Sequence, residues 1–313
     1  EVKRVKGFVS VVVCTHNRTG LLADALASLG AQTLDPTSYE VIVVDNASTD
    51  GTRATVEEFS RRLSQVRYCL EERLGVSHAR NRGWVEARGD YVGYLDDDAR
   101  ATPEWLDVAV QTIADKAPAA FGGPVLPFHT DPKPRWYKDR YELRTRGETA
   151  RALGPGEHLS GANLFFRRAI LEALGGFDPA LGVVGSRVAY GEETALQVRI
   201  RAEMPGEIIH YEPRLCVDHL VHAWKKTCRG ILLAAWVGGR DSSRVLGDPH
   251  TRRSRARAAV QVVGQSTAIA AQSMRGVLWR DREAHPYYQN FVYEVVRPRV
   301  VILGALCERM RAQ

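Results

Sequence analysis

An α/β chain is predicted, with a mostly parallel sheet flanked by helices and a mainly helical region after it. Three observations predict it. Short apolar, β-branched runs alternate with stretches of helical spacing. Three of those runs end in polar clusters, "THNR", "DNASTD" and "DDD". The last third of the 313 residues lacks strand-like runs and is basic.

The elements follow in order. "FVSVVVCT" from Phe8 is a continuous apolar run, the pattern of a strand buried on both faces. Leu21, Leu22, Ala25, Leu26 and Leu29 then fall on one helical face. "YEVIVVDN" from Tyr39 is a second buried strand, followed by a helix with Asp50 as its expected N-cap and Val56, Phe59 and Leu63 on its inner side. "VRYCLE" from Val66 reads as a third strand. "SHARNRGWVEARG" reads as a helix capped by Ser77 and closed near Gly89. "DYVGYLDDD" is the fourth strand, and the next helix has Thr102 as its expected N-cap and Pro103 at its first position. The middle of the chain, from Phe121 to His158, is rich in Pro, Gly and Arg and reads as a strand and a long loop. "HLSGANLFFRR" is a further strand, followed by a short helix stopped at Gly175. "YGEETALQVRIRAEM" is a helix with acidic residues in its first turn, and "GEIIHYEPRLCVDH" holds one or two strands.

Charge is unevenly distributed. From Leu220 onward 16 Lys and Arg face 6 Asp and Glu, whereas the rest of the chain has 27 against 31. A basic tail attracts phosphates, anionic lipid or nucleic acid without choosing among them. Its arginines lack interleaved aromatics or a known module, so no nucleic-acid partner is expected. The five cysteines have no CxxC spacing and read as free thiols in a reducing, cytoplasmic compartment. No apolar run approaches the ~20 residues that a membrane-spanning helix needs. "RRSRARAAVQVVGQSTAIAAQSMRGVLWR" puts basic residues ahead of an Ala/Val-rich helix, which could lie peripherally on a membrane or pack against the rest of the protein.

Asp96, Asp97 and Asp98 stand in a row at a strand end, where three like charges repel one another. A hard cation relieves that repulsion, and Mg²⁺ or Mn²⁺ takes such oxygen ligands while keeping positions for phosphate oxygens. In parallel sheets ligands bind outside the carboxyl ends of the strands. Asp45, closing the second strand, could accept hydrogen bonds from a base or ribose, and the "THNR" loop could present N–H groups to the same nucleotide. Arg80 could face phosphate or form a surface salt bridge. Neither GxGxxG nor GxxxxGK[ST] is present, which excludes the common dinucleotide and P-loop signatures.

The ordered set "VVVCTHNR", "VIVVDNASTDGT", "LGVSHARNRG", "YLDDD", "SGANLFFRR", "GGFD" and "GEETALQVR" resembles family 2 glycosyltransferases of the GT-A fold. The resemblance spans Phe8 to His219. It implies a catalytic domain over residues 1–219, with a nucleotide-binding half to about residue 100 and an acceptor half over 101–219, and a basic helical region over 220–313. It implies an inverting transfer from a nucleotide-diphosphate sugar, most commonly a UDP-sugar, to an acceptor hydroxyl of a saccharide, a lipid-linked compound or a small molecule. Asp96 and Asp98 resemble the outer carboxylates of the family's DxD motif, which reach metal and ribose, with Asp97 between them. Thr15, Asn17, Arg18 and Asp45 match the nucleotide pocket, and Arg80 matches an arginine near the phosphates. Gly161, Ala162 and Asn163 match the segment lining donor sugar and acceptor, and His219 matches a histidine that completes the site near the metal.

Direct displacement needs a carboxylate beside the attacking hydroxyl. The family has a Glu-Asp pair at a helix start, where this chain has Glu192 and Glu193. Glu193 stands in the Asp position, one methylene longer, so either Glu193 reaches the acceptor or Glu192 serves instead. Two other readings fit the same architecture. A sugar-nucleotide pyrophosphorylase or nucleotidyltransferase would carry a Gly-rich basic loop after the first strand, which "CTHNRTG" matches poorly. A non-catalytic nucleotide-sugar-binding protein would not need the Glu192–Glu193 pair.

Overall fold

The computed structural model describes residues 5–185, 187–247 and 252–311. The chain divides into two compact units. The first comprises the residues up to Phe128, Glu142–Arg187 and Glu192–Leu220; the second comprises His129–Tyr141, Val188–Gly191 and everything from Val221.

In chain order the first unit contains β1 (Val5–Thr15), α1 (Thr19–Gly30), β2 (Tyr39–Asp45), α2 (Thr52–Arg62), β3 (Val66–Leu70) and α3 (Val76–Glu86). It continues with β4 (Gly89–Leu95), β5 (Ala99–Ala101), α4 (Trp105–Lys116), β6 (Ala120–Gly122), β7 (Val125–Phe128) and β8 (Arg151–Ala152). It ends with β9 (Asn163–Arg167), α5 (Arg168–Leu174), α6 (Glu192–Glu203), β10 (Ile209–Tyr211) and β11 (Val217–Leu220). Eight strands form one sheet in the order β3-β2-β1-β4-β9-β6-β10-β8, and β5-β11-β7 form a second, three-stranded sheet. β3, β2, β1 and β4 run parallel to one another, and β9 is antiparallel between β4 and β6.

The continuous apolar runs occupy the sheet centre because both of its faces are covered. Val9, Val11, Val12 and Val13 of β1 and Val41–Val44 of β2 are buried. The α1 face of Leu22, Ala25, Leu26 and Leu29 packs on one side, as its spacing predicts. Ser10 and Glu40 are the polar exceptions in these strands. They satisfy each other through a 2.7 Å hydrogen bond, and Glu40 also pairs with Arg67.

Helix starts depart from expectation at three places. α3 begins at Val76 after Gly75, and Ser77 lies inside its first turn, where its hydroxyl donates to the Leu181 carbonyl instead of capping. α4 begins at Trp105, and the Thr102 hydroxyl is used on the Cys216 carbonyl. Both side chains found tertiary acceptors, and local propensity yields to such bonds. The N-cap of α2 is Gly51, not Asp50, which stands one residue earlier and accepts from the Thr52 N–H at 3.0 Å. Gly175 ends α5 with a left-handed backbone (φ 71°). All five cysteines are free thiols.

The second unit is helical: α7 (Cys228–Leu246), α8 (Arg252–Leu278), α9 (Tyr288–Phe291), a π-helical segment Val292–Val296, and α10 (Arg297–Arg311). α7 and α10 cross closely at two glycines. A Cβ on Gly239 would stand 1.9 Å from the Val301 carbonyl oxygen, and one on Gly304 would stand 2.3 Å from that of Trp236. Trp136, Tyr137 and Tyr141 join the apolar core of this unit with Ile231 and Val292.

Candidate active site

The parallel strands set the floor of the site. Thr15 and Asp45 close β1 and β2 in register with each other, and β4 stops at Leu95, immediately before the three aspartates. The second sheet brings in a residue distant in sequence. β11 runs antiparallel to β5, so His219 stands opposite Ala99, and the Leu220 N–H donates to the Asp98 carbonyl at 3.0 Å.

The three aspartates divide their work. Asp96, Asp98 and His219 each offer a ligand atom, all within 4.8 Å of one another. His219 Nε2 lies 3.2 Å from Asp98 Oδ1 and 3.5 Å from Asp96 Oδ2. Two carboxylate oxygens and an imidazole nitrogen form a donor set that suits a divalent cation. Asp97 faces other partners: it accepts from the Thr15 hydroxyl at 2.8 Å and from Arg18 Nη1 at 2.9 Å. Arg18 also reaches Asp98 Oδ2 at 3.2 Å, so its side chain, not its backbone, meets the acidic cluster. Burial and the neighbouring Asp98 charge raise the Asp97 carboxyl to about 6, against the pull of Arg18 and Thr15. Burial alone would lower His219, but its bonds to Asp96 and Asp98 raise it to about 9. Holding a cation therefore requires His219 to give up its proton.

Arg80 of α3 is buried, with no face open to solution. Its guanidinium donates to Glu192 Oε1 at 2.6 Å and to Asp96 Oδ1 at 3.4 Å. It also lies over the rings of Tyr94 and Phe177. Gly161 closes the remaining side, where a Cβ would come within 2.8 Å of Nη2. Its ion pair with Glu192 is buried, unlike the surface salt bridge that the sequence suggested. Glu192 is buried with it; burial and the charge of Glu193 push its carboxyl up to about 8, opposed by Arg80. Glu193 is only partly buried, and its carboxylate makes no hydrogen bond among the described residues.

Asp45 is held by the Ser48 N–H at 2.9 Å and the Tyr68 hydroxyl at 2.8 Å. Asn17 adopts a left-handed backbone (φ 54°) and ties the first two loops together, accepting from Thr49 N–H and donating its own N–H to Ser48. Two expected site residues are not brought to the cluster. Ala162 is buried in the apolar core. Asn163 is fully buried: its amide accepts from Trp105 Nε1 at 2.9 Å and donates to the carbonyls of Pro124 and Leu215. Tyr68 and Ser48 escaped the sequence reading. Tyr68 could have been found from the parallel register of β2 and β3, which seats it one strand away from Asp45; Ser48 carried no signal beyond a polar loop.

The sequence profile described as Glycosyl transferase family 2 matches residues 10–175. A glucosyl-dolichyl phosphate glucuronosyltransferase of Haloferax volcanii is 30% identical over 226 residues, covering 69% of this chain and 70% of the relative. A second Haloferax volcanii relative, glycosyltransferase AglE, is 30% identical over 171 residues, with 54% and 56% covered. Among solved structures, the mannosyltransferase PcManGT from Pyrobaculum calidifontis, in complex with GDP-Man and Mn²⁺, superimposes with a TM-score of 0.64 at 21% identity. That match covers 96% of this chain and 86% of the other. S. aureus TarS 1–349 in complex with UDP-GlcNAc gives a TM-score of 0.55 at 20% identity, covering 74% and 66%. At those identities the likeness speaks for the fold. With a family match over more than half of its length, built on a GT-A sheet whose strand ends carry the acidic cluster, the chain belongs to glycosyl transferase family 2 and is a glycosyltransferase.

Proposed function

We propose that the chain transfers a sugar, with inversion, from a nucleoside diphosphate sugar to an acceptor hydroxyl, using Mg²⁺ or Mn²⁺ held by Asp96, Asp98 and His219. The observation that carries this reading is the convergence of those three ligand atoms within 4.8 Å at the carboxyl edge of the sheet. A divalent cation bound there would neutralise charge gathering on the leaving diphosphate. Asp45 and the loop of Asn17 hold the nucleoside, Asp45 by accepting from base or ribose. Arg80, paired with Glu192 and Asp96, orients the acidic cluster near the place of the diphosphate. The nucleotide half extends to about residue 100, and the acceptor half carries α6.

Glu193 serves as the base. Glu192 is committed to Arg80 at 2.6 Å, which leaves Glu193 as the carboxylate at the start of α6 able to take a proton. In a single displacement the acceptor oxygen bonds to the anomeric carbon as the bond to the phosphate oxygen breaks. The hydroxyl proton goes to Glu193, and the nucleoside diphosphate leaves with the bonding pair. Relatives of the chain support the donor and acceptor classes. The TarS structure holds UDP-GlcNAc, and a relative from Campylobacter jejuni is named a β-1,3-glucosyltransferase acting on a polyprenyl-linked saccharide. We therefore take UDP-sugars as the first donors and lipid-linked saccharides as the first acceptors.

The test is turnover with a panel of UDP-, GDP- and dTDP-sugars, with the anomeric configuration of the product read by NMR. Glu193→Gln should lower kcat by roughly 10²–10⁴-fold, the range for a lost general base, with donor affinity retained. A product of retained configuration, or full turnover in Glu193→Gln, would overturn the assignment.

A further inference from the structure

We propose that α8 is a docking surface for an anionic phospholipid bilayer, laid flat through Val260, Val263, Met274, Val277, Leu278 and the following Trp279. These six side chains are exposed large apolar groups of the second unit, from 57% at Leu278 to 75% at Val260. Val260, Val263, Thr267, Ala270, Met274 and Val277 alternate in steps of three and four, so they form one stripe along the helix.

The opposite side of α8 is already occupied. Ala258, Val262, Gln265, Ile269, Gln272 and Gly276 repeat with the same spacing, about half a turn away. Ile269 packs with Phe291, Val296 and Val300. Arg299 donates to Gln272 at 2.9 Å and to Gln265 at 3.3 Å. A Cβ on Gly276 would come within 2.4 Å of the Phe291 ring. α8 thus packs through a mixed face of apolar, small and glutamine side chains, while its apolar stripe is exposed among the described residues. Such a stripe is ordinarily buried.

Charge selects the occupant. Residues 252–278 contain no Asp or Glu, and Arg255, Arg257 and Arg275 are exposed beside the stripe. A second copy of the chain would oppose like charges in either orientation. Parallel helices bring Arg255 and Arg257 against themselves, and antiparallel helices bring them against Arg275. Anionic headgroups reverse that sign, and an apolar stripe flanked by arginines matches the interface of a charged bilayer. No helix among the described residues is long and apolar enough to cross a membrane, so α8 would lie on the surface.

Binding to vesicles tests this without donor, acceptor or metal, so its outcome is independent of the sugar-transfer reading. The chain is sedimented with phosphatidylcholine vesicles and with vesicles also containing phosphatidylglycerol. Preferential pelleting with the anionic vesicles is expected. Met274→Asp with Val277→Asp should abolish it. Replacing Arg255, Arg257 and Arg275 by Gln should weaken it roughly tenfold or more, since each basic residue near such a surface contributes severalfold. All these residues are exposed, and an unchanged melting temperature verifies that the variants fold. Absence of pelleting, or pelleting equal in both vesicle types and in both variants, would overturn the proposal. So would a concentration-dependent dimer in light scattering that the Asp variant dissolves, because the stripe would then be an interface between copies.

Discussion

At Gly161 a single methyl group would reach the guanidinium of Arg80 beside the acidic cluster. Its missing Cβ leaves room for a guanidinium that is buried, stacked on two rings and bonded to two carboxylates. An exposed arginine would swing away from an added methyl at little cost. Arg80 is buried, so Gly161→Ala would disturb its pairing with Asp96 or with Glu192, and loss of the latter would leave a buried carboxylate without its partner. We expect Gly161→Ala to lower kcat/KM by roughly tenfold or more, the equivalent of about 1.4 kcal/mol or above. Steady-state kinetics checks it, with circular dichroism to verify the fold; unchanged kinetics would mean that Arg80 does not position the cluster. The Gly161–Asn163 segment, which the resemblance treats as one block, divides by residue. Gly161 backs Arg80, whereas Asn163 spends its whole amide on Trp105, Pro124 and Leu215 in the interior. β9 begins only at Asn163, and the environment of each residue in the turn before it is a tertiary fact that the sequence does not carry.

At the scale of elements, legibility followed range. β1, β2, β3 and β4 and the helices between them were readable, because apolar periodicity is local and both faces of a parallel sheet demand it. The Asp96–Asp98 turn was readable for the same reason, as a polar ending that a core strand does not need. The pairing of β5, β11 and β7 was not, since strands of three or four residues carry no periodic signal of their partners, and it is the pairing of His219 with Ala99 that brings His219 to the aspartates. The segment His129–Tyr141 read only as loop, yet it belongs to the helical unit and is fastened there by Glu294. Glu294 accepts from Lys138 at 2.8 Å, Arg140 at 2.7 Å and the Tyr141 hydroxyl at 2.7 Å. Partial burial opposes ionisation, but these donors pull the carboxyl down to about 2. A carboxyl with a depressed folded pKa stabilises above its unfolded value, near 4.5, and loses that contribution as pH falls toward the folded one. Glu294→Gln should therefore lower stability at neutral pH by about 2 kcal/mol, on the scale of charge-assisted hydrogen bonds. The gap to the native protein should narrow as pH falls from about 4.5 toward 2. Urea titrations of both proteins across that range measure it, and a gap independent of pH would place the effect in packing.

On the scale of the whole molecule, the acidic cluster stands half neutralised by the protein itself. Arg18, Arg80 and His219 each reach one or two of the three aspartates, so the fold tolerates the cluster without a metal. A dication and a nucleoside diphosphate bring opposite charges that largely cancel, and they should bind together better than either binds alone. The diphosphate adds negative charge to an already acidic edge unless a cation comes with it, while the cation alone must displace the His219 proton. Any ligand specific to the folded state raises stability by mass action, by about 2.7 kcal/mol at a hundred times its dissociation constant. In a protein of this size that is worth several degrees in melting temperature. With UDP and Mn²⁺ together, or with GDP or dTDP if one of those is the cognate nucleotide, we expect a shift of that order. Each component alone should give a much smaller one, and Asp98→Ala should abolish the synergy. Removing Asp98 leaves Arg18 with Asp97 and His219 with Asp96, so the variant should still fold. If a nucleotide stabilises the protein equally with and without Mn²⁺, and Asp98→Ala behaves as wild type, the Asp96–Asp98–His219 cluster is a self-contained ion-pair network and the diphosphate is held by other groups.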